Sequence, residues 1–495
     1  MLSLVVFLPA LAALGLLTAR SRPQLARWGF VAATATEVVL AAALWLTASG
    51  TGFRHEQRLS WIPGIGVSYH VGVDGISLAL IAMTSVLFAA CAVYSLRQQR
   101  APATFAALML ALETTAIGVF AALDLIVFFL FFDLSLVLMY FVIAGWGHRD
   151  HRRAALHFFL YTFVGSLVLL LGFIGIAIAA DPTTFDIAAL IEQPPLRDAP
   201  VAGGFVLLAV GIGLAIKTPL VPLHTWLPPA HTEAPAVGSA ILAGVLLKLG
   251  TYGFVRIALP ILPDAWRRFA LVFVILGVVS VLYGALVALA QSDVKRMIAY
   301  TSVNHMGYIL LGLGTAGMIV GNTEPARQLA ITGAATQMVS HGLITGALFL
   351  LAGVLYARAR EYDMASFGGL AGVAPRYAGL MAVAAFAALG LPGFSGFIAE
   401  FHIFTGSLGV QPVATAVALL GVLLTAALFL RALHRLFLGE RLLPGGVGRF
   451  DDVAARELVP VAALLALATV IGVLPRTLLG TLEPAAHTVA EWVTL

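Results

Sequence analysis

Apolar runs of about twenty residues recur along the whole chain, separated by short polar or basic stretches. The pattern predicts fourteen membrane-crossing helices, over 2–19, 28–48, 75–96, 103–122, 124–146, 154–180, 201–230, 235–259, 268–290, 295–316, 326–357, 377–409, 412–437 and 458–474. A straight span needs only about 20 residues, so 201–230, 326–357 and 377–409 are too long. The first carries Pro219 and Pro222 in GIGLAIKTPLVPLHTW, and the last carries Pro392 in LPGFSG. Proline removes a backbone donor and frees carbonyls upstream, so both read as broken helices. Irregular backbone survives inside a membrane only where protein or water covers it, which predicts a hydrated cavity beside Lys217. Paired interrupted helices point to an inverted-repeat transporter architecture. The polar segments 49–72 and 181–200 read as loops.

With fourteen alternating spans and the first residue outside, eighteen Lys and Arg residues fall in inside loops and seven in outside loops. This bias supports the alternation and places both termini outside. Lys217, Lys248 and Arg256 remain within spans. Arg256, near a helix end, is expected to snorkel to the interface.

Composition changes the picture mainly by exclusion. The chain is 61% hydrophobic and 11% charged, where soluble domains lie near 45–50% and about 25%. An all-α polytopic membrane protein follows, one membrane domain over 1–495. The net charge of +4 sits in short loops and does not indicate nucleic acid. The single cysteine, Cys91, excludes an internal disulfide or a cysteine-held Fe–S cluster and reads as a buried apolar thiol. GLGTAG at 312–317 lies in an apolar span with no preceding strand, so it is not read as a nucleotide site, and no P-loop is present.

Two of the chain's three lysines, Lys217 and Lys248, lie where a charge costs about 2.5–3.5 kcal/mol each. Carboxylates inside spans are Glu37, Glu113, Asp133 and Glu400, and His305 and His341 lie on neighbouring spans. A carboxylate near a buried lysine favours its charged form, so moving that carboxylate switches the lysine between holding and releasing a proton. Asp133 is the expected partner of Lys217. A static buried ion pair that fixes helix packing stays open as the other reading. His224 and His231 match no standard metal spacing. Glu37 and Glu113 have no assigned role beyond a lateral contact with a neighbouring subunit.

The run AIKTPLVPLHTWLPPAHTEAPAVGSAILAGVLLKLGTYGFVRI at 215–257 closely resembles the chain M family of antiporter-like membrane subunits of proton-translocating NADH:quinone oxidoreductase, complex I. DVKRMIAYTSVNHMG (293–307), GVDGISLAL (72–80) and LPGFSGFIAEF (391–401) are similar to it too. The resemblance implies fourteen core helices with two inverted five-helix repeats, about 103–259 and 268–437, each with a broken helix. It implies a proton relay of Asp133, Lys217, Lys248, His305, His341 and Glu400, with no redox centre or cofactor in this chain. NADH, FMN, Fe–S clusters and quinone would belong to other subunits, and the partners would be neighbouring membrane-arm chains and the lipid bilayer of a bacterial inner membrane. At 133 the family usually has glutamate, and aspartate is one methylene shorter. A subunit of a multi-chain cation/proton antiporter, a subunit of a ferredoxin-dependent sister complex and a membrane scaffold remain as alternatives.

Overall fold

The computed structural model describes residues 1–47, 52–321, 323–445 and 447–494. Residue 48 of the second expected span and 49–51 of the following loop lie outside the described residues. Helix boundaries follow the punctuation of the sequence. Proline opens α2 (Pro23–Thr47), α4 (Pro102–Ala121), α8 (Pro200–Lys217), α13 (Pro263–Ala290), α16 (Pro375–Ala388) and α18 (Pro412–Phe437), positions where its missing N–H costs nothing. Aspartate side chains accept backbone N–H bonds at the starts of α3 (Gly75–Tyr94), α5 (Leu125–Trp146), α7 (Ile187–Glu192) and α14 (Val294–Ala316).

Eleven of the described helices are long and apolar enough to cross a membrane. These include α6 (His151–Ala179), α15 (Glu324–Ala359), α19 (Ala455–Val473) and the composite span Ala236–Ile261. That span joins α10 (Ala236–Ile241), α11 (Leu247–Gly253) and α12 (Leu259–Ile261) through two π-helical turns. Three more elements complete the expected fourteen: α1 (Leu2–Thr18), α14 and the interrupted pair α16 and α17 (Ser395–Leu408). α14 is less apolar because it carries Arg296, Asn304 and His305. The expected 201–230 span is likewise interrupted, into α8 and α9 (Leu227–Glu233). By contrast, α15 is one unbroken helix of 36 residues. At 1.5 Å per residue it is about 54 Å long and overshoots the hydrocarbon core.

Loop pairing divides the connections between two faces. Backbone bridges join Val71 to Ala122 and Asp124 to Asp186 on one face, and Asp293 to Asp363 and Gly368 to Leu442 on the other. The break falls in the fourth span of the set α4 to α12 and again in the fourth span of α13 to α18, and these sets begin at opposite faces. α13 and α14 cross closely because Gly277 and Gly307 face each other's backbone, the small-residue contact that membrane helices favour.

One feature departs from the expected all-helical chain, and one helix lies beyond the fourteen expected spans. The polar 49–72 loop contains an antiparallel hairpin, β1 (Arg54–Ile62) and β2 (Val67–Val73). Beyond the last expected span, α20 (Arg476–Thr494) lies along the hairpin face against α3, α12, α13 and α15. Its Trp492 ring sits 5.9 Å from Phe53 at the foot of the hairpin.

Candidate functional site

Lys217 is the last residue of α8, and its side chain is buried. The helix cannot continue through Pro219 and Pro222, and the freed backbone finds protein partners. Trp226 Nε1 donates to the Ile216 carbonyl at 2.8 Å, and the Val221 N–H donates to Ser280 Oγ at 3.1 Å. Side chains thus cover part of the backbone that the break opens. Lys217 Nζ donates to Ser135 Oγ at 3.1 Å and lies 4.8 Å from the Phe132 ring centroid.

Asp133 is near but not in contact, which corrects the direct pair expected from the sequence. Its carboxylate accepts from Ser166 Oγ on α6 at 2.6 Å, and among the described residues no ion pair joins it to Lys217. Positions 133 and 135 are about 200° apart around a helix, so Ser135 meets the lysine while the short aspartate is drawn to α6.

The second half of the set forms one line. Lys248, fully buried, stands between the π-helical turns Leu242–Leu246 and Phe254–Ala258. Such turns misalign backbone carbonyls, and Ala243 O accepts from Lys248 Nζ at 2.6 Å. The same Nζ lies 2.5 Å from Nδ1 of His341 on α15. The His341 and His305 rings are 5.3 Å apart. Gln337 Nε2 donates to His305 Nδ1 at 3.0 Å, and that nitrogen lies 3.8 Å from Glu400 Oε1. The order is therefore Lys248, His341, His305, Glu400. A cavity of about 10 Å³ beside His305, His341, Ser340 and Gly396 is of the size of one water.

The second break makes room for the carboxylate. Gly390 has φ +77°, and a Cβ there would stand 2.5 Å from Glu400 Oε2. Glycine meets both demands, the left-handed backbone and the close approach. Pro392 lies in the same break, and Ser395 Oγ, opening α17, hydrogen-bonds Ser340 Oγ at 2.8 Å.

Several placements differ from the reading of the sequence. Arg256 does not snorkel: it is fully buried and pairs with Asp74 at 2.5 Å. The Asp74 carboxylate, held as the α3 cap, supplies a nearer partner than the interface. Lys295, in the first turn of α14, is buried too, and its Nζ donates to Ala234 O at 2.5 Å and Thr232 O at 3.3 Å. Glu37 and Glu113 do not present a lateral surface. Both are fully buried, with carboxyl oxygens unpartnered among the described residues, because α2 and α4 turn these polar side chains away from lipid. Cys91 is a buried free thiol, as expected.

Sequence reasoning missed Ser135, Thr218 and Gln337, and gave His231 no place beside the relay. Thr218 is buried beside Gly250, its hydroxyl unpartnered among the described residues, between Lys217 and the Lys248 helix. His231 is buried with both ring nitrogens unpartnered and stacks on Phe349 at 4.6 Å. Short hydroxyl and amide side chains are common in membrane helices, so only their placement singles them out.

Residues 122–425 match the family model described as NADH:quinone oxidoreductase/Mrp antiporter, TM. The chain is 39% identical over 433 residues to NADH-quinone oxidoreductase subunit M of Rickettsia prowazekii (strain Madrid E), covering 87% of this chain and 85% of the relative. Its fold is similar to a chain of respiratory complex I from Thermus thermophilus with bound NADH, with a TM-score of 0.89, 31% identity and 100% of both chains covered. It is also similar in fold to a chain of the Mrp complex from Dietzia sp. DQ12-45-1b, with a TM-score of 0.86, 23% identity, and 99% and 98% covered.

Proposed function

From the premise that the chain belongs to the NADH:quinone oxidoreductase/Mrp antiporter family of membrane subunits, we propose that it is a proton-translocating, non-redox subunit of the membrane arm of an NADH:quinone oxidoreductase. One observation carries this reading: Lys248, His341, His305 and Glu400 form a line of buried titratable groups between two broken helices. A solely structural pairing would leave each charge closed by its partner. Here the lysine faces a neutral acceptor instead.

In this reading Lys217 loads a proton beside Ser135 and Asp133 and passes it toward Lys248 past Thr218. An ammonium at Lys248 then donates to Nδ1 of His341. Imidazole takes a proton on one nitrogen and releases one from the other, and His305 stands next in line before Glu400. Lys217 would be driven from outside the chain, by charge displacements that follow quinone reduction in another subunit. NADH, FMN, Fe–S clusters and quinone are assigned to those subunits, with neighbouring antiporter-like chains and lipid as direct contacts. We place the hairpin face outside a bacterial inner membrane, with both termini there, since the opposite loops hold the excess of Arg.

The test is Lys217→Ala in the assembled complex in sealed vesicles, with assembly checked by native gel. NADH-driven quinone reduction and acidification are followed together. Both are expected to fall with assembly intact, whereas persistence of both at wild-type level would sink the relay role of Lys217.

A further inference from the structure

A cavity opens on the surface of the chain between α8 and α13. It measures about 440 Å³, and apolar side chains line it from Val201 down to Leu220 and Leu223 in the first break. Gly204 and Gly211 on α8 keep it open, against Phe269 and Phe273 of α13. From Val201 to Ala215 it follows fifteen residues of helix, about 21 Å over the rises between them at 1.5 Å each. That is longer than half the roughly 30 Å hydrocarbon core, so the groove reaches from the face where both helices begin to the depth of the break.

A groove of this kind is filled in a membrane, because an unfilled one forfeits contacts on both walls. Apolar lining by itself selects nothing, since a lipid tail is equally apolar in the bilayer. The selecting element stands at the mouth. Arg268 lines the cavity, is exposed, and has no carboxylate partner among the described residues; its guanidinium sits 5.9 Å from the Phe269 ring centroid. The neighbouring Arg267 is engaged by Asp264, so Arg268 is the cation left over. Arg327 adds positive potential at the same end: it is buried near Arg267, with Nε and Nη1 unpartnered among the described residues.

We propose that this groove is a binding site for an anionic phospholipid, one acyl chain lying between α8 and α13 and the headgroup phosphate on Arg268. A chain seated there packs against Leu220 and Leu223, the far wall of the break that follows Lys217. The site stands on its own geometry, independent of the proton relay.

The experiment uses the intact protein in its assembled complex, delipidated in detergent and titrated with phosphatidylglycerol or phosphatidylcholine, with retained lipid counted by native mass spectrometry. Wild type is expected to keep phosphatidylglycerol in preference. Arg268→Gln should lower that preference about fivefold, the effect of one surface cation on an anionic lipid. Gly211→Leu should reduce retention of both lipids by filling the groove; its Cβ would meet Phe273 at 3.8 Å, ordinary contact. Should Gly211→Leu fail to assemble, the exposed Arg268 variant decides alone. Equal retention of the two lipids by wild type, or unchanged phosphatidylglycerol retention in Arg268→Gln, overturns the proposal. So does a cross-link from Phe205→Cys to a neighbouring chain in the native membrane, which would show a protein occupant. Cys91 is buried and gives no background.

Discussion

Lys248 Nζ lies 2.5 Å from Nδ1 of His341, across the contact between the π-interrupted span and the long helix α15. The lysine's other acceptor is the Ala243 carbonyl. Neither partner carries a negative charge, so the ammonium has a route for its proton and no carboxylate to trap it. Lys248→Met removes the donor while keeping the side chain's length. Proton translocation is expected to fall roughly a hundredfold or more, the scale of a lost acid–base group, with the complex still assembled. Acidification of sealed vesicles at matched subunit content measures it. Wild-type acidification would remove Lys248 from the path.

Gly390 holds a conformation and a contact that alanine cannot share, with φ +77° and Glu400 Oε2 at 2.5 Å from where a Cβ would be. Gly390→Ala is expected to cost about 1–3 kcal/mol and to push the Glu400 carboxylate away from His305. Melting temperature and acidification should both decline, whereas Gly379→Ala, in open space on helix α16, should lower neither.

Asp133 stops short of Lys217 and is held by Ser166 instead. Asp133→Glu restores the methylene and is expected to keep translocation within about twofold of wild type. Asp133→Asn removes the charge and should lower it roughly tenfold, about 1.4 kcal/mol of barrier. Equal activity of the Asn and Glu variants would show that the charge at 133 plays no part.

The Arg256–Asp74 pair is buried on both sides. Removing one charge strands the other, at about 3–5 kcal/mol. Asp74→Asn isolates this cost, since asparagine still caps α3. A drop in melting temperature is expected for Asp74→Asn, and a smaller drop for Asp74→Asn combined with Arg256→Met. If the double variant is as unstable as the sum of the two singles, the pair is not coupled.

The hairpin carries a pH dependence of its own, outside the membrane spans. Burial opposes the charged form of His70. The hydrogen bond and charge of Asp186, 2.8 Å away, and then those of Glu56 outweigh it, so its pKa is raised. A raised histidine contributes stability that is complete below its unfolded value, near 6.5, and is lost as pH rises through the folded value. Asp186 is lowered despite burial, by His70, the Ala189 N–H and Arg58. Its share holds above about pH 3.9 and is lost only as pH falls through its lowered value. Protease nicking of 54–73 should therefore be slower at pH 6 than at pH 9, and His70→Gln should abolish the difference. A pH-independent wild type would refute the coupling.

What the sequence determined by itself was everything a bilayer imposes on a chain. Twenty-residue apolar runs, prolines at helix starts and loop arginines set fourteen spans and their alternation, because hydrocarbon leaves the backbone no partner but its own helix. The breaks at Pro219, Pro222 and Pro392, and the mid-span ions Lys217, Lys248 and Glu400, were legible for the same reason: each is locally costly and stands out against its neighbours. Tertiary structure alone decided which of these groups meet. It turned Asp133 to Ser166, brought His341 rather than His305 to Lys248, buried Arg256 on Asp74, and folded 54–73 and 476–494 into a hairpin and a further helix. Contacts between helices far apart in sequence depend on rotation about each axis. A change of one position turns a side chain by about 100°, and no local pattern of apolar residues records which neighbour it then faces.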